Sequence, residues 1–185
     1  LLTFQSKDAA WNTTMRGDGL SYGSFVIITR LGEYFQQTLP GLFSLTQWQW
    51  LFEAVAFVLI VLAGILAVRE LASLPSPYER NLTAFRMGAS IYVGTFLLGN
   101  NWDYRLAFLV LAVPQLTQWF NLTNRKHRAV AIGVMLAILV SCWHLMLKIA
   151  PPLIPLKDPN NRNFIFDEFV NWLLLPGFTY LLVPF

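Results

Sequence analysis

The sequence predicts an all-α integral membrane protein of about five transmembrane helices, preceded by an N-terminal interfacial or extracytoplasmic segment. Three observations predict it. Of 185 residues, 56% are hydrophobic and only 12% are charged, about half the roughly 25% of an ordinary soluble domain. The charges are also segregated: Ala54–Val68, Met87–Trp102, Leu106–Asn124, Ala129–Leu147 and Phe169–Phe185 contain none. Aromatic residues gather where these runs meet polar sequence, as at Trp48, Trp50 and Trp102, which is where a chain crossing a bilayer places its interfacial rings.

Residues 1–49 form the first unit. Lys7, Asp8, Arg16, Asp18, Arg30 and Glu33 lie among Gly, Thr, Asn and Ser, so the segment belongs in water or at the interface. Leu31, Tyr34 and Phe35 recur at helical spacing before Pro40-Gly41 and predict an amphipathic helix on the membrane surface. The chain opens on Leu1 with neither a methionine nor a signal-like region, and further residues upstream are expected.

Residues 50–185 form the bundle, with spans at about 50–69, 85–101, 104–121, 129–148 and 168–185. Ala129–Leu147 alone covers roughly 28 Å at about 1.5 Å per residue, close to the hydrocarbon thickness. The first span enters through Trp48, Trp50 and Phe52 and stops at Arg69-Glu70. Glu53 at its mouth reads as a hydrated helix-start charge. Gly88, Ala89, Ser90 and Gly94 make the second span rich in small residues and predict close helix approach. Pro114 is expected to kink the third, with Gln115 and Gln118 interfacial.

Asn124–Arg128 is a compact basic loop, suited to anchoring. Its three basic residues fall short of the four to eight expected of an anionic-lipid site, and His127 reads as a solvated loop histidine. Within the fourth span, Cys142 reads as packing. His144, with Lys148 one turn on, is the ionisable residue deep in an apolar run. It is a weak candidate for a tetrapyrrole metal, against a histidine hydrogen-bonded to a neighbouring helix. Pro151–Glu168 reads as a polar loop, Asp167 and Glu168 suiting the first turn of the next helix. The last run is interrupted by Pro176-Gly177.

Counting Lys and Arg, the loops after spans one and three are cytoplasmic by the positive-inside rule. The Gly99–Arg105 turn, the N-terminal segment and the Pro151–Glu168 loop then share the outer face. Asn12-Thr13-Thr14 is the Asn-x-Thr sequon on that face. The pI near 9.2 reflects these loops rather than nucleic-acid binding. One cysteine excludes an intrachain disulfide, and no Gly-rich phosphate loop, metal-spaced His and Glu pair or Ser-His-Asp order occurs.

Chemistry concentrates in Asn100, Asn101, Asp103 and Arg105, with Trp102 and Tyr104 interleaved. Asp103 and Arg105 are the catalytic candidates: a carboxylate to take a proton from a sugar hydroxyl and a guanidinium to neutralise phosphate. Asn100, Asn101, Tyr104, Lys157 and Arg162 are the substrate-binding candidates. The competing reading is an Asp103–Arg105 pair that only fixes a tight turn.

The run from Gly99 through Pro114 to Leu116, Gly-Asn-Asn-Trp-Asp-Tyr-Arg-Leu-Ala-Phe-Leu-Val-Leu-Ala-Val-Pro-Gln-Leu, resembles a segment of polytopic bacterial membrane proteins related to the C-type glycosyltransferases. That resemblance implies a bacterial inner membrane, a polyprenyl-phosphate sugar donor and a site at the outer face. The family's acidic residue on an early outer loop has no counterpart here, so Asp103, Tyr104 and Arg105 carry over as motif positions only. The function expected is a glycosyltransferase-like membrane protein or a fragment of one. The alternative is a non-catalytic subunit of a respiratory or photosynthetic membrane complex, held by lipids and other membrane subunits. A transporter ranks third, because the spans carry few polar residues.

Overall fold

The computed structural model describes residues 21–22, 44–70, 79–98, 101–122, 124–142 and 159–183. Five helical stretches dominate it. Helix α1 is Leu45–Glu70 and α2 is Glu79–Leu97. A 3₁₀ helix, Asp103–Ala112, runs directly into α3, Val113–Trp119. Helix α4 is Arg125–Cys142 and α5 is Pro159–Leu182. A two-residue strand β1, Ser21–Tyr22, pairs with β2, Asn101–Trp102. The predicted surface helix before Pro40, and His144, Lys148, Asn100, Lys157 and Asp158, lie outside the described residues.

Local chemistry sets the helix starts. Ser44 and Gln47 cap α1 reciprocally: the Gln47 amide donates to Ser44 Oγ at 3.3 Å, and the Ser44 amide to Gln47 Oε1 at 2.7 Å. This is a capping box, in which two amides lacking helical partners are satisfied together. At α4, Asn124 Oδ1 accepts from the Lys126 and His127 amides at 3.0 and 3.2 Å. That cap starts the helix at Arg125, ahead of the apolar run. His127 is accordingly not a solvated loop histidine. It is helical and fully buried.

Contacts fix the directions. Trp172 meets both Phe52 and Phe96, while Phe178 meets Phe85; Ser141 meets Asn171, and His127 meets Tyr180. Helix α1 therefore runs parallel to α5, and α2 and α4 run antiparallel to it. Two ends result. Leu45, Leu97, Asp103, Cys142 and Pro159 mark the turn end; Glu70, Glu79, Trp119, Arg125 and Leu182 mark the basic end, which carries Arg69, Arg86, Lys126 and Arg128.

Helix α5 is the hub, packing against α1, α2 and α4. Leu174, Leu175, Phe178 and Leu181 on it are wholly buried. Around it the aromatic rings form a connected series. From the turn end it passes Trp48, Phe52, Trp172, Phe96 and Tyr92, then Phe178, Phe85, Trp119, His127 and Tyr180. Helix α1 docks by the small residues Ala56, Ala63 and Ala67, while Trp50, Phe57, Leu62 and Leu66 are exposed.

Several expectations change. The third span is not one kinked α-helix: it is 3₁₀ up to Ala112, and Pro114 sits at the start of α3, where a missing N–H is tolerated. At about 2.0 Å per residue in the 3₁₀ part and 1.5 Å in the α part, the element still reaches roughly 30 Å. Helix α5 begins at Pro159, so the expected polar loop ends there and Glu168 lies in the third turn, not the first. Proline is favoured at a first helical position, which suits that start. The helix also continues through Pro176. Gln115 is buried rather than interfacial, and Cys142 is exposed rather than packed.

Close approach is selective. A Cβ on Gly88 would stand 2.6 Å from the Phe108 carbonyl oxygen, so only glycine lets α2 meet the 3₁₀ helix. Gly94 faces open space and Ser90 is exposed, so neither contributes. Trp50–Arg69 is, among the described residues, the helix long and apolar enough to cross a membrane.

Candidate functional site at the turn end

The turn between α2 and the 3₁₀ helix is held by backbone pairing. Ser21 lies opposite Trp102 and Tyr22 opposite Asn101 in antiparallel register. Ser21 and Tyr22 therefore lie beside the two residues immediately before Asp103. Asp103, Tyr104 and Arg105 open the 3₁₀ helix, and Arg162 falls in the first turn of α5, at the same end of the bundle. The candidates Asn101, Asp103, Tyr104, Arg105 and Arg162 thus share one end through the backbone. Gly88 sets how closely the 3₁₀ helix lies on α2 and so where these residues start.

Below this turn runs a buried polar seam that links three helices. The Tyr92 hydroxyl on α2 donates to Asn171 on α5, 2.9 Å from Oδ1 and 3.0 Å from the main-chain oxygen. Ser141 Oγ on α4 donates to the same Oδ1 at 3.2 Å. Asn171 is completely buried, as is Glu168 one turn earlier. Glu168 is about 13 Å along α5 from Pro159, inside the bundle rather than at a hydrated mouth. A carboxylate so placed does not serve as the solvated outer-loop base that its sequence position suggests.

Residues distant in sequence build this seam, with 79 positions between Tyr92 and Asn171. Asn171 carried the one legible signal: an amide within a charge-free run has to find a partner from another helix. A buried histidine lies at the basic end, where His127 sits edge-on to Trp119 with ring centroids 4.8 Å apart and 5.9 Å from Tyr180. Among the described residues no group of three or more His, Cys, Asp or Glu is arranged to hold a metal. Comparison with protein-family models, with curated proteins and with solved structures finds no match to this chain.

Proposed function

We propose that this chain is a membrane-embedded helical bundle of glycosyltransferase-like type, its turn end facing outward and its basic end facing the cytoplasm. Inverted polarity supports the membrane placement: Ser141, Glu168 and Asn171 are buried while Phe57, Val110, Leu136 and Phe169 are exposed. Buried polar groups and contiguous exposed apolar surface are the informative departures from a water-soluble fold. The observation that carries the functional reading is the pairing of Ser21–Tyr22 with Asn101–Trp102. It ties a residue pair from the N-terminal part of the chain to the start of the Asp103–Arg105 stretch, which supports reading this end as a built site rather than a bare turn.

In this reading an acceptor hydroxyl oxygen attacks the anomeric carbon of a polyprenyl-phosphate sugar. The hydroxyl proton passes to the Asp103 carboxylate, the bond from the anomeric carbon to phosphate oxygen breaks, and polyprenyl phosphate leaves. Arg105, with Lys157 and Arg162, offsets the phosphate charge; Asn100, Asn101 and Tyr104 hydrogen-bond the sugar. Asp103→Asn and Arg105→Ala each lower transfer from a labelled carrier at least about 10²-fold while the protein stays folded. Transfer undiminished in both variants removes the turn from the mechanism.

A second reading, an accessory subunit of a larger membrane complex, draws on α1, whose large apolar residues Trp50, Phe57, Val61 and Ile65 are exposed. Under it the native protein purifies with a fixed set of partner subunits. A monodisperse, partner-free chain counts against it.

A further inference from the structure

A recess of about 680 Å³ opens between α1, α4 and the C-terminal half of α5, at the basic end and away from the Asp103 turn. Its walls are Leu59, Leu62 and Leu66 of α1 and Val130 of α4, with the small residues Ala63 and Ala129 between them. Two cations join it: Arg69 from the last turn of α1 and Lys126 from the first turn of α4. Among the described residues no acidic side chain lines it. From Leu59 to Arg69 the slot runs about 15 Å along the helix axis.

From this layout we propose that the recess holds one anionic glycerophospholipid of the cytoplasmic leaflet, an acyl chain along the slot and the phosphate on Arg69 and Lys126. Basic pockets between helices on the cytoplasmic side hold lipid head groups, and here one cation comes from α1 and one from α4. An apolar slot lying along the bundle axis and ending in paired cations matches a lipid, chain inward and anion at the interface. An acidic peptide fits worse, because its backbone N–H and C=O groups would be buried against leucine without partners. The proposal rests on the membrane placement of the bundle but not on sugar transfer.

The test is native mass spectrometry of the delipidated chain in detergent, titrated with phosphatidylglycerol or phosphatidylcholine carrying the same acyl chains. Phosphatidylglycerol fills a first site at one per chain at least about tenfold more tightly, at roughly fivefold per cation. Arg69→Gln with Lys126→Gln removes that preference, weakening phosphatidylglycerol more than phosphatidylcholine. Val130→Trp, which fills the slot, weakens both lipids, and glycerol phosphate does not compete. Equal binding of the two lipids by the native chain, a preference surviving the double substitution, or displacement by glycerol phosphate overturns the proposal. Flotation of the protein with membranes tests the placement separately, and an unchanged melting temperature verifies that each variant is folded.

Discussion

Asn171 is where the interior is most sensitive to a single atom. Its Oδ1 accepts from helices α2 and α4 together, so Asn171→Ala removes the acceptor of Ser141 and leaves the Tyr92 hydroxyl with the main-chain oxygen of residue 171. The expected loss is about 1–3 kcal/mol, read as a lowered melting temperature in detergent. Tyr92→Phe costs less, because the acceptor keeps Ser141, and a double-mutant cycle should return a coupling near 0.6 and up to about 1.7 kcal/mol. Fully additive effects contradict the seam. The two glycines of α2 make a sharper contrast. Gly88→Ala drives a Cβ against the Phe108 carbonyl oxygen and destabilises by about 1–3 kcal/mol. Gly94→Ala meets nothing within 4 Å and raises helix stability by up to about 1 kcal/mol. The same melting experiment ranks them, and equal effects would contradict the packing. Sequence alone groups these glycines together, because only the neighbouring chain tells a crowded one from an open one. The place of Asp103 and Arg105 at a turn of the chain, by contrast, is legible from their setting between apolar runs.

At the scale of elements, each of the five helical stretches among the described residues overlaps a charge-free run, since apolar composition is what burial and lipid both select. Boundaries followed other chemistry. The Ser44–Gln47 box and the Asn124 cap moved starts upstream of the apolar residues, and Pro159 opened α5 amid polar ones. The 3₁₀ stretch had no legible signal in its own composition; it lies against α2 at Gly88. Helix α1 holds to the bundle by an alanine stripe, and this makes a test. Ala56→Leu, at a completely buried site, separates α1 from α5 and costs about 1–3 kcal/mol. Val58→Ala, at a site 52% exposed, leaves thermal stability in detergent within about 0.5 kcal/mol. Equal losses would mean that α1 docks by another face.

For the whole molecule, the central claim is an inverted bundle with one orientation: polar seam inside, apolar surface in lipid, turn outside and basic end within the cell. Both ends are defined by helix directions that the ring contacts and hydrogen bonds fix independently of charge. Arg69, Arg86, Lys126 and Arg128 then fall at one end and Arg105 and Arg162 at the other, and the proposed orientation rests on that difference. Cysteine accessibility tests this most directly. With Cys142→Ser as background, single cysteines replace Asn101 and, separately, Arg125, and intact cells are treated with a membrane-impermeant maleimide. The account predicts labelling of Asn101→Cys in intact cells and of Arg125→Cys only after permeabilisation. The reverse pattern, labelling of both sites in intact cells, or neither site labelled until permeabilisation would contradict it.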